Sequence, residues 1–354
     1  MVDVKDLKAQ GINRSWVLIH TDDCDMYGTS ADVLQEINKA LDDEWKTEIV
    51  PSDFVLGVKR TLHEDPNGWS CHMTMTSFID DMVTTFQSEL DSQFGKRTVS
   101  IPFPEGLILT KAEVPKEGEV QRNIKRGYQK LVGSLLWCVR HVSPICAYGC
   151  SQLCKLMATP TDKAWEAALH LLQYLRQNRT TGITFREGEH PPCAMVDASN
   201  KDDPVDGRTQ YGYAIHWGGP LITKSGKLNH VGINNTYNEY MALHHCVKQL
   251  VWLRQSMQEI GLGSVVSSPT KVYADNKQAN TLCAEDLVTA GNMYFRTGYH
   301  YTKEAVRDGY VDIKYINTAY NISDACTKAL GKNKITMFEP VLHGHEVIDL
   351  DLLR

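Results

Sequence analysis

Four carboxylates in the C-terminal half of the chain, Asp197, Glu239, Asp275 and Asp324, are spaced so that they can converge. The local pattern predicts Asp197 at the end of one strand and Asp275 at the end of a later one. In α/β sheets, ligand-binding groups gather at the carboxyl ends of strands. Glu239 opens a long helical segment and Asp324 a short one. If the two strands are neighbours, all four side chains reach one edge of the sheet. Oxygen ligands of this kind suit hard divalent cations such as Mg²⁺, with Mn²⁺ as an alternative. Two such ions ~3.5–4 Å apart hold both the attacking and the leaving oxygen of an in-line phosphoryl displacement. Taken singly, each residue has an ordinary explanation. Thr236 and Glu239 have the spacing of a capping box, Asp324 beside Ser323 complements a helix dipole, and Asp197 and Asp275 are common types at strand ends.

The elements that must position these side chains can be read from hydrophobic periodicity. Residues 194–196, 212–217 and 221–223 read as strands, and 238–260 as a long helix with Leu243, Val247, Leu250 and Leu253 inward. A strand at 271–274, a short helix at 277–282, a strand at 311–316 and a final helix at 323–330 follow. Three strands, then helix, strand, helix, strand, helix is a mixed α/β order. The stretch 187–192, with Pro191 and Pro192, marks a boundary ahead of it. Before that boundary, 76–94, 128–157 and a segment opening at Pro160 read as helical, and prolines and glycines between 102 and 115 mark a loop. At the N-terminal end, 16–20 reads as a buried strand and 24–27 as its return. Together they form a hairpin with Asp22 and Asp23 adjacent at its tip. Ser30 is placed to cap a helix, 54–58 reads as a strand and 65–68 as a turn.

Bulk properties narrow the class. A chain of 354 residues is long enough for two or three domains of roughly 100–200 residues each. With 42% hydrophobic and 23% charged residues it has ample material for a core. No apolar run approaches the roughly 20 residues of a membrane helix, and the first residues lack the pattern of a secretory signal. A cytoplasmic or nuclear, non-secreted protein is expected. The ten cysteines contain no C-x-x-C pair, which argues against a zinc module; Cys146, Cys150 and Cys154 fall at helical spacing and read as a buried face. The net charge of −6 does not favour polyanion binding as a whole. Yet residues 121–161 hold no Asp or Glu and include Arg122, Lys125, Arg126 and Lys130. This stripe reads either as a phosphate-tracking surface or as a solvated helix face over an apolar core.

Several motifs occur in one order: Asp206-Gly207-Arg208-Thr209-Gln210-Tyr211-Gly212-Tyr213, then Asn235-Thr236-Tyr237-Asn238-Glu239-Tyr240-Met241-Ala242, then Trp252-Leu253-Arg254. Asp275-Asn276-Lys277-Gln278-Ala279, Tyr299-His300-Tyr301-Thr302-Lys303-Glu304 and Ile322-Ser323-Asp324-Ala325-Cys326-Thr327-Lys328 complete the series. On these motifs, residues 195–330 resemble the RNase H domain of copia-type retrotransposon Pol polyproteins. Upstream, His20-Thr21-Asp22-Asp23 is similar to the Y-V-D-D hairpin of the family's reverse transcriptase, and Tyr128 to Trp137 is similar to its Y-R-S-L-V-G-S-L-M-Y segment.

The resemblance implies an α/β fold: an RNase H-like mixed sheet at 191–335, preceded by a truncated reverse-transcriptase palm at 1–60 and a mainly helical thumb or connection at 61–190, with a tail at 336–354. It implies two Mg²⁺ ions on Asp197, Glu239, Asp275 and Asp324, a metal role for Asp22 and Asp23, an RNA–DNA hybrid as substrate and the remainder of Pol as partner. Asn276 and Gln278 are candidate minor-groove contacts, where the 2′-hydroxyl distinguishes RNA from DNA. Departures accompany it. Val142-Ser143-Pro144-Ile145 stands where the family has T-R-P-D, His20-Thr21 replaces Tyr-Val, and no stretch resembles the strand bearing the palm's other aspartate. The expectation is therefore hydrolysis of the RNA strand without polymerase activity. The competing expectation is a non-catalytic remnant that binds nucleic acid or a partner.

Overall fold

The computed structural model describes residues 14–21, 23–50, 53–66, 68–187, 191–199, 205–232, 234–284 and 296–348. The chain opens with the antiparallel hairpin β1 (Ser15–His20) and β2 (Asp23–Gly28), followed by α1 (Ala31–Trp45). Strands β3 (Phe54–Val55), β4 (Val58–Asp65) and β5 (Gly68–Thr74) come next. Six helices succeed them: α2 (Thr76–Thr85), α3 (Gln87–Gln93), α4 (Glu119–Lys125), α5 (Tyr128–His141), α6 (Ala147–Cys154) and α7 (Asp162–Gln177). Strand β6 (Ile183–Arg186) then returns to pair with β5, completing a four-stranded antiparallel sheet in the order β3-β4-β5-β6.

The second sheet is built from β7 (Cys193–Ala198), β8 (Arg208–His216) and β9 (Pro220–Val231), an antiparallel meander. The long helix α8 (Asn235–Glu259) leads to β10 (Thr270–Ala274), which lies parallel to β7. Helices α9 (Lys277–Ala284) and α10 (Arg296–Arg307) precede β11 (Val311–Tyr315), parallel to β10. The strand order is β11-β10-β7-β8-β9. Helices α11 (Asp324–Thr327) and α12 (Lys332–Leu342) follow.

Strand alternation gives this sheet two apolar faces. Cys193 and Met195 face one core, shared with Leu131, Leu135, Leu172 and Phe338 from α5, α7 and α12. Ala194, Val196 and Ala198 face the other, where Tyr240, Leu243, Val247 and Leu250 of α8 pack. The mixed sheet is thus covered by helices on both sides. Among the described residues no helix is long and apolar enough to cross a membrane.

Several expectations need correction. The strand at 16–20 is not buried: Leu18 and Ile19 are 59% and 66% exposed, because the described residues supply its hairpin with no third strand. No residue of α1 is buried and Ser30 makes no side-chain cap. Residues 54–58 form not one strand but a tight hairpin. Leu56 and Gly57 adopt φ of 52° and 82° between paired Val55 and Val58, the left-handed backbone that two-residue hairpin loops require. The boundary expected after residue 60 falls inside β4, and the mainly helical segment after it also contains β5 and β6. The expected tail begins within α12, whose Phe338 and Leu342 are fully buried in the first core.

Candidate active site

Two adjacent parallel strands bring the first pair of carboxylates together. Val196 of β7 is in register with Ala274, the last residue of β10, and the residue that follows each is an aspartate, Asp197 and Asp275. Asp197 keeps the parity of Cys193 and Met195 and is 2% exposed. Glu239 arrives from the opposite face, on the second turn of α8. The helix is capped by Asn234, whose side chain accepts from the Tyr237 N–H at 2.8 Å. The capping-box explanation of Glu239 therefore fails; its carboxylate instead accepts from the Ala198 N–H at 3.1 Å, across the end of β7. Ligand oxygens of Asp197, Glu239 and Asp275 lie within 4.8 Å of one another.

The fourth carboxylate stands apart from this set. Asp324, 1% exposed, sits at the start of α11 with each oxygen engaged by a lysine: Lys328 Nζ at 2.6 Å and Lys334 Nζ at 2.6 Å. Lys328 Nζ also lies 3.3 Å from Asp197 Oδ2, and the Thr327 hydroxyl donates to the same oxygen. The close approach of α11 depends on Gly212, the β8 partner of Asp197. A Cβ at Gly212 would lie 2.4 Å from Cys326 Cβ.

This concentration of charge is costly without a cation. Burial, with Asp324 and Asp275 nearby, pushes the Asp197 carboxyl up to about 6 against the pull of Lys328 and Thr327. Burial, then Asp197 and Asp275, pushes Glu239 up to about 9. Burial works against the charge of Lys328, but Asp197 and Asp324 outweigh it and hold its pKa above the usual lysine value. An all-oxygen set on rigid elements, two of its members buried and short of positive charge, fits a hard divalent ion. It borders a cleft of about 530 Å³, lined also by Asn235, Asn276, Lys277, Gln278 and Lys328.

No protein-family model matches the chain. It is 25% identical over 334 residues to the retrovirus-related Pol polyprotein from transposon TNT 1-94 of Nicotiana tabacum, covering 93% of this chain and 24% of that one. It is 28% identical over 207 residues to the Pol polyprotein from transposon RE2 of Arabidopsis thaliana, covering 58% of this chain and 14% of that one. The relatives that it matches over more than half of its length include retrovirus-related Pol polyproteins of copia-type transposons. The chain spans about a quarter or less of these Pol relatives. Among solved structures, LC11-RNase H1, isolated from compost, aligns over 39% of this chain and 93% of its own at 13% identity, with a TM-score of 0.30.

The remaining candidates do not join the carboxylate cluster. Asp22 lies outside the described residues; Asp23, paired with His20 at the hairpin end, is exposed. The buried carboxylate of that hairpin is Asp25, which the sequence reading passed over. Its bonds to Arg60 and Tyr27 outweigh the effect of its burial and hold it below the usual aspartate range. In the basic stripe, Arg122 and Arg126 both turn to Asp162, at 2.5 and 3.8 Å, and the Arg126 guanidinium lies over Trp165. Lys125 and Lys130 are exposed. Asn276 and Gln278 line the cleft, but each already has a protein partner. Asn276 Oδ1 accepts from the Ala279 N–H at the start of α9, and Gln278 Oε1 accepts from the Thr236 hydroxyl. Sequence reasoning missed Lys328, Lys334 and Thr327 as site residues. The spacing of Asp324 and Lys328, four apart, was the available signal.

Proposed function

We propose that the chain carries the RNase H activity of a transposon Pol polyprotein: divalent-metal-dependent hydrolysis of the RNA strand of an RNA–DNA hybrid. The observation that carries this reading is the convergence of Asp197, Glu239 and Asp275 within 4.8 Å beside an accessible cleft. These three would hold Mg²⁺ or Mn²⁺, which when bound supplies Lewis-acid stabilisation of the charge developing on the phosphate. The chain's own residues do the rest. The paired strand ends fix two carboxylates, Glu239 is oriented by the Ala198 N–H, and Lys277 and Lys328 give the cleft cationic groups for an anionic backbone. Hybrid substrate and the remainder of Pol are the partners this reading implies.

A labelled hybrid tests it. Cleavage of the RNA strand is expected with Mg²⁺ and not with EDTA. Asp275→Asn should slow it by at least about 100-fold, the scale on which losing one charge-stabilising group impairs an enzyme. Equal rates for variant and wild type would remove the assignment. A second reading, a non-catalytic remnant that binds nucleic acid, is favoured by one feature: Asp324 is occupied by two lysines. Hybrid binding without Mg²⁺-dependent cleavage would decide for it.

A further inference from the structure

We propose that Asp324 is a positioning residue that holds Lys328 against Asp197, and that Lys328 thereby limits the site to one divalent cation, on the Asp197–Glu239–Asp275 side. The inference rests on the RNase H reading for the presence of a metal. It departs from the two-ion, four-carboxylate expectation drawn from the sequence in the role of the fourth carboxylate and in the ion count.

Three observations support it. Among the described residues, the carboxylates whose ligand atoms share a 4.8 Å neighbourhood are Asp197, Glu239 and Asp275. Both oxygens of Asp324 are already engaged, one by Lys328 and one by Lys334, each at 2.6 Å. The Lys328 ammonium contacts both Asp197, at 3.3 Å, and Asp324, at 2.6 Å, and so stands between the two carboxylates that a second ion would have to share. Lys328 reaches this point because α11 lies flat on β8 at Gly212, with Lys328 immediately after it and four residues beyond Asp324. A fixed ammonium also sits ready for a phosphate oxygen at the cleft wall.

Mn²⁺ binding to the full chain without nucleic acid, followed by electron paramagnetic resonance and calorimetry, tests this apart from catalysis. The wild type is expected to bind one ion. Asp275→Asn should weaken binding beyond about 100-fold, more than the 10–100-fold that outer partners of a metal site cost. Asp324→Asn should weaken it by no more than about tenfold, the low end of that range. Lys328→Met, with Lys328→Gln as a second variant in case the first misfolds, should admit a second ion or tighten the first by about tenfold or more, since each removes one positive charge at the site. Two ions on the wild type, no ion at all, loss of binding in Asp324→Asn as complete as in Asp275→Asn, or Lys328 variants indistinguishable from wild type would each overturn the proposal. Hybrid cleavage is measured separately. Its absence beside one tightly held ion would remove the RNase H reading and leave this one standing.

Discussion

Glu239 places a carboxyl group 5% exposed between two other acids, with one backbone N–H as its direct partner. Its folded-state pKa is raised to about 9 from 4.5. A raised acid contributes stability that is fully present below the unfolded value and lost as pH rises through the folded one. In the metal-free protein at neutral pH, Glu239 therefore costs stability. Glu239→Gln keeps an acceptor for Ala198 and cannot ionise. It should raise the melting temperature in EDTA at pH 7.5 by about 2 °C, the shift that ~1 kcal/mol produces in a larger domain. It should also abolish the rise that Mg²⁺ gives the wild type. Thermal melts with and without Mg²⁺ check both, and a lower melting temperature in EDTA would mean that the carboxylate is better compensated than its burial suggests. At this scale the site was largely legible. Asp197 and Asp275 announce themselves as the residues after two apolar strands. The lysine partners of Asp324 were not legible, because Lys334 reaches it from the next helix and Lys328 meets Asp197 across 131 residues of chain.

Among the elements, α11 has four residues and owes its position to what it rests on. Gly212 lets Cys326 approach β8 to a distance that no side chain at 212 would permit. Gly212→Ala should therefore lift α11 from the sheet and move Asp324, Thr327 and Lys328 together. Overpacking of this kind costs about 1–3 kcal/mol. Urea unfolding is expected to show that loss, and Mn²⁺ titration a change in affinity in the same variant. Unchanged stability would mean that α11 is free to shift. The second sheet could be read strand by strand because its apolar runs are bounded by turns and covered on both faces. The N-terminal hairpin misled for a related reason. An apolar run such as Val17-Leu18-Ile19 looks the same whether another element covers it or not, and the described residues leave it bare. α12 escaped notice because Pro340 interrupts its pattern, yet the proline lies in the last turn and Phe338 and Leu342 still bury.

On the scale of the whole molecule, the two sheets meet at a seam sealed by backbone bonds and buried imidazoles. The Arg186 N–H of β6 donates to the Gly218 carbonyl in the turn after β8, and the Thr184 N–H donates to the carbonyl of His343, just past α12. His343 Nδ1 lies 2.6 Å from the Gly182 carbonyl, and His216 shares a cavity of about 120 Å³ with Gly344. Burial lowers both His216 and His343 to about 4 from 6.5. For a base with a depressed folded pKa, the unfolded chain takes the proton first. The contribution to stability is therefore whole above about 6.5 and lost as pH falls through about 4. Each tenfold loss of proton affinity is worth ~1.4 kcal/mol, so the two imidazoles together amount to several kcal/mol. Asp197 and Glu239 act in the opposite direction in metal-free protein, gaining stability on acidification, so the histidine contribution has to be read by difference. His343→Gln, which cannot take up a proton, should lose less stability than the wild type between pH 7.5 and 4.5. Urea midpoints at the two pH values measure this. If the variant and the wild type lose the same amount, protonation of His343 is not what acid acts upon.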